Sequence, residues 1–107
     1  MLIEVTKDHI KNGIQECEMD CPIALAVCDA VEMVLTNCDL LANNVITCVH
    51  DNDISVYYHT PNKEMEYQFN ISPKAKGDWD YIGEFISEFD GDHHVEPFEM
   101  EFEVIQN

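Results

Sequence analysis

The chain has 107 residues, 46% of them hydrophobic, with 22 acidic side chains against five lysines and no arginine, for a formal charge of −17. A chain this long holds one domain, residues 1–107, with a core of its own, and the sparse Gly and Pro exclude collagen-like, low-complexity and disordered classes. Such a charge repels phosphates, so direct binding to DNA, RNA or an anionic membrane surface is excluded and phosphoryl transfer is disfavoured; basic proteins or divalent cations are the natural complements.

Leu2 to Thr6 reads as a short strand, and Thr6 is placed to cap a brief helix over Lys7–Asn12 that stops at Gly13. The segment lacks the basic region and long apolar run of a signal peptide, no stretch approaches the length of a membrane span, and a cytoplasmic protein is expected. After the polar residues Gln15–Asp20, Cys21-Pro22 opens an almost wholly apolar helix through Leu35, with Pro at its favoured first position. Only Asp29 and Glu32 mark a wet stripe, so burial is expected.

Asn43-Asn44 turns the chain into a strand at Val45–His50, and Asp51-Asn52-Asp53 turns it back into Ile54–His59, a hairpin. Beyond the turn at Thr60–Lys63, Met65, Tyr67, Phe69 and Ile71 alternate with polar residues, the period of a half-buried antiparallel strand that Pro73 ends. Asp78 is expected to cap a helix carrying Trp79, Ile82, Phe85, Ile86 and Phe89 on one stripe, broken at Gly91-Asp92. Phe98, Met100, Phe102 and Val104 then form a final strand beside the first. The sum is an α+β domain: a mostly antiparallel sheet of about five strands with two main helices packed on one face.

From Gly77 to Asn107 there are ten acids and no Lys or Arg. Glu99, Glu101 and Glu103 emerge from one face of the last strand about 6.6 to 6.8 Å apart. Phosphates step about 3.4 Å along the axis of one DNA strand, so a carboxylate ladder on this scale can imitate nucleic-acid backbone to a basic groove. Glu84, Glu88, Asp90 and Asp92 would extend that surface; acids near a helix C-terminus cost roughly 0.3 to 1 kcal/mol each and need a reason to be there. The bland alternative is a solvated sheet face whose glutamates discourage edge-to-edge association.

Five cysteines, 17, 21, 28, 38 and 48, form an odd set that suits reduced thiols. Cys17 and Cys21 raise an alternative, a metal-stabilised accessory or regulatory module with further ligands from His9, Cys28 or His50, but the spacing lacks a second matching pair. Cys21 at a helix start is an inert thiol more readily than a nucleophile in such acidic surroundings. His93-His94 among Asp90, Asp92 and Glu96 reads as a polar loop, and neither Asp-rich segment fits a calcium loop. No cofactor, resident metal or catalytic residue is expected.

Two stretches, Glu4-Val-Thr-Lys-Asp-His-Ile-Lys-Asn-Gly13 leading to Cys21-Pro-Ile-Ala-Leu-Ala26, and Phe85-Ile-Ser-Glu-Phe-Asp90 leading to Val95-Glu-Pro-Phe-Glu-Met-Glu-Phe102, resemble the ends of short, uncharacterised proteins encoded by bacteriophages. The resemblance implies an origin and no activity or catalytic residue; residues 38–72 depart most from it. In size and charge the chain is also similar to the acidic proteins that block restriction or CRISPR nucleases by imitating nucleic acid, a group without a common fold. The expectation is therefore a non-catalytic inhibitor that presents Glu99, Glu101, Glu103, Glu84, Glu88, Asp90 and Asp92 to a basic, nucleic-acid-binding host defence protein.

Overall fold

Five alternating segments become strands: β1 (Leu2–Val5), β2 (Asn43–His50), β3 (Asp53–His59), β4 (Glu66–Pro73) and β5 (Phe98–Ile105). The helices are α1 (Lys7–Asn12), α2 (Pro22–Asn37) and α3 (Asp78–Asp90). The computed structural model describes residues 1–37, 43–50, 53–59, 66–75 and 77–105; the expected turns at Asp51-Asn52 and Thr60–Lys63, the start of a strand at Met65, and Cys38 lie outside them. All pairings are antiparallel and the order is β1-β5-β4-β3-β2, so the last strand does lie beside the first, and the fold is α+β.

The register sorts side chains between two faces. Ile3 lies opposite Met100, Pro73 opposite Phe102, Ile71 opposite Ile54, and Val56 opposite both Thr47 and Phe69, which puts one apolar row after another on the inner face. Phe102 at 1% exposure and Ile54, Val56 and Ile71 at 0% mark its centre. From above, α2 supplies Ile23, Ala24, Val27 and Val31, and α3 supplies Ile82 and Phe85, all in one continuous cluster. Pro73 is tolerated because it faces Phe102 in a pair that exchanges no hydrogen bond, so its missing N–H costs β5 nothing.

The sheet is curled. Five strands laid flat would hold their edges about 19 Å apart, more than one helix spans, yet α2 packs against both β1 and β2, the two edges. The edges therefore approach one another around α2.

Local signals differ from expectation at two places. Asp78 does not cap α3: the N-cap is Gly77, which has no side-chain bond, and Asp78 is the first helical residue, where its charge still favours the positive helix end. β2 begins at Asn43 rather than Val45 because a register shift between Asn43 and Ile46 absorbs the Asn pair into the strand. Thr6 does cap α1: its Oγ1 accepts from the His9 backbone N–H, and Nδ1 of His9 accepts from the Thr6 N–H, a closed capping box.

Candidate functional site: the acidic outer face of the sheet

Because Met100 and Phe102 point inward, Glu99, Glu101 and Glu103 all emerge on the outer face of β5 and all are exposed. β5 lies between β1 and β4 in strand order, with Glu99 paired toward β1, Glu103 toward β4, and Glu101 meeting both neighbours. Protection against edge pairing therefore does not explain Glu101, which is held on both sides.

A fourth carboxylate joins the ladder. Glu4 on β1 lies opposite Glu99. Met1 and Phe102 exchange both N–H···O bonds, which makes Ile3–Met100 a bonded pair and Glu4–Glu99 a non-bonded one, the arrangement in which facing side chains come closest. Two like charges placed so are destabilising. Among the described residues only Glu101 has cations at hand, the terminal amine at 3.4 Å and Lys74 Nζ at 3.9 Å, and Glu101 remains 52% exposed. Glu4 was not among the residues expected from the sequence, because its position depends on the pairing register of strands at opposite ends of the chain.

The acids of α3 lie elsewhere. Ile82, Phe85 and Phe89 face the core, so Asp80 and Glu84 project from the outer surface of the helix layer, with the sheet between them and the ladder. The seven residues singled out from the sequence thus divide between two surfaces. Three of the four near α3 also hold the fold together. Glu88 Oε2 meets His93 Nδ1 at 2.8 Å, Asp90 Oδ1 accepts from the Glu16 N–H at 2.9 Å, and Asp92 Oδ1 receives Gln15 Nε2 at 3.3 Å. Gln15 also donates to the carbonyl of Phe89 at 3.0 Å. These bonds tie residues 15–16 to the end of α3, which supplies the reason for acid at a helix C-terminus. Glu16 and Asp92, at φ 56° and 61°, are the two non-glycine residues in the left-handed region among the described residues.

The cysteines and histidines separate as well. Cys17 Sγ points to Asp20 Oδ2 at 3.6 Å, Cys28 Sγ to Val45 O and Thr47 Oγ1, His9 Nε2 to Asp29 Oδ2 at 2.6 Å, and His50 Nδ1 to Glu18 Oε2 at 2.8 Å. Among the described residues no three potential ligands converge as a metal would require. Cys21 is 4% exposed, and burial pushes its thiol above the ordinary value against the pull of backbone N–H groups at Ala24 and Ile23. A buried, protonated thiol is a packing group. His93 and His94 bond to Glu88 and Glu96 respectively, as members of a polar loop.

Among the described residues no helix is long and apolar enough to cross a membrane. Comparison with protein-family models, curated proteins and solved structures finds no match.

Proposed function

We propose that this protein is a non-catalytic inhibitor that presents the outer-face carboxylates Glu4, Glu99, Glu101 and Glu103 to the basic groove of a nucleic-acid-binding protein, such as a host defence nuclease of the restriction or CRISPR type met by a phage. It acts by occupancy. The observation that carries this reading is the Glu4–Glu99 pair: two carboxylates face one another on an exposed sheet, where like charges weaken the free protein, beside two more on the same strand. Residues that weaken the free protein are explained by a complex in which cations lie across them. The rungs of the ladder span about 13 Å from Glu99 to Glu103, within reach of several phosphate subsites.

The test is capture of partners on immobilised protein followed by competition. The expected partner is displaced both by salt and by DNA or RNA, and the Glu99, Glu101, Glu103→Gln variant binds it at least about tenfold more weakly while folding normally. A correctly folded triple variant that binds unchanged would refute the ladder.

A further inference from the structure

The two edges of the sheet are finished differently. At β2 the N–H of Val49 donates to the Glu18 carbonyl at 2.9 Å, so residues 15–20 cover part of that edge. β1 has no such cover: the Met1–Phe102 exchange turns the N–H and C=O groups of Leu2 and Glu4 away from β5, and among the described residues no backbone group meets them. Thr6, next in that series, spends its carbonyl on Ile10 and its N–H on His9. Among the described residues the open edge is that of Leu2 and Glu4, which present four backbone groups.

Beside it lies a cleft of about 270 Å³ between β1 and α2. Ala26 and Ala30, one turn apart on α2, and Met33, 67% exposed, give it an apolar wall. Leu2, 45% exposed, lies on the β1 side. Glu4 and Asp29 also line it, and Glu99 is next to Glu4 on the outer face. The edge is short and carries one charge, Glu4, but the exposed apolar side chains that flank it are what natural sheets ordinarily cover.

We infer that the edge of β1 accepts an extended segment of the basic partner as a sixth strand, with basic and apolar side chains alternating along it. This rests on the reading of the outer face as the surface that meets a basic partner, and it names the backbone contact through which that partner docks. Alternation is dictated by the pleat: side chains of the added strand opposite Leu2 and Glu4 share the outer face with Glu4 and Glu99, where cations fit, and those opposite Ile3 and Val5 turn toward Ala26, Ala30 and Met33, where apolar groups fit. A second copy of this chain is a poor occupant, since it would bring −17 against −17 and Glu4 close to its own counterpart. The edge is too short for backbone bonding to suffice, so the charge match is part of recognition.

The experiment uses the isotope-labelled full chain at low salt and a capped heptapeptide of alternating lysine and valine, with amide exchange read by NMR. The amides of Leu2 and Glu4 are expected to slow by at least about tenfold at saturation, while those of Ile3 and Val5, already bonded to β5, change little. A peptide of the same composition with its lysines and valines in separate blocks gives no such protection, and Met33→Gln, at an exposed position, weakens the alternating peptide without altering the fold. Binding of the alternating peptide with Leu2 and Glu4 amides as fast as before overturns strand addition and leaves the acidic-face reading standing. Equal protection by the block peptide overturns the alternation. No binding by the alternating peptide overturns the proposal outright, while displacement of the captured partner by nucleic acid still judges the acidic face by itself.

Discussion

Acid does different work at the end of α3 and on the outer face of β5. At the helix end, Glu88, Asp90 and Asp92 each meet a donor: Glu88 holds His93 in the following turn, and Asp90 and Asp92, with the Phe89 carbonyl, fasten residues 15–16 to the helix. On the sheet, Glu4 and Glu99 meet each other. The first set repays its charge within the fold and the second does not, so charge density alone fails to distinguish architecture from recognition; the partners of each carboxylate do.

That comparison can be broken most forcefully at the segment the helix end holds. Gly13 packs so closely on Pro22 that a Cβ there would lie 2.7 Å from the ring. Gly13→Ala is expected to lower unfolding free energy by about 1–3 kcal/mol through overpacking, measured by urea denaturation, with partner affinity unchanged once the protein is folded. Next in size, Asp90→Ala removes a carboxylate from the Glu16 N–H and should cost about 1–2 kcal/mol, with Asp90→Asn costing less because an acceptor remains. The opposite sign is expected on the sheet. Glu4→Gln or Glu99→Gln should stabilise the free protein by about 0.2–1 kcal/mol and weaken the complex, and the gain should shrink as salt screens the pair. A loss of stability in either variant would place the outer face on the same footing as the helix end.

How much of this was legible in the sequence depends on how local the signal is. The alternation Phe98-Glu-Met-Glu-Phe-Glu-Val104 announces both the inward and the outward face of β5, and Thr6 marks the start of α1, because strand pleat and helix capping act within a few residues. Antiparallel pairing and two helices on one sheet face likewise follow from patterns that each segment carries by itself. What the pattern could not carry was tertiary. Asp90 reaches Glu16 across 74 positions, and Glu4 faces Glu99 only through the β1–β5 register, so the sequence grouped the α3 acids with the ladder and passed over Glu4. Asp78 misled by one residue because Gly77 takes the cap position without a side-chain bond.

The smallest expected effect concerns the thiols. Burial raises Cys21 and Cys28 in the folded protein, so their neutral forms favour the fold, and their contribution is complete below the ordinary thiol value of 9.0. As pH rises past that value the unfolded chain releases its thiol protons first, and stability declines until the folded thiols ionise as well. Cys21→Ala should flatten this alkaline decline in denaturation curves, at some cost in core packing, and alkylating reagents should reach Cys17, half-buried, well before Cys21.

The division between architectural and recognition acid is tested most directly by the salt dependence of affinity for the captured nucleic-acid-binding partner, compared among the wild type, Glu99, Glu101, Glu103→Gln and Asp90→Asn. The expected result is a steep loss of wild-type affinity with salt, a weaker and flatter dependence for the triple variant, and wild-type behaviour for folded Asp90→Asn. Wild-type affinity and slope in the triple variant would contradict the assignment of the outer face to recognition.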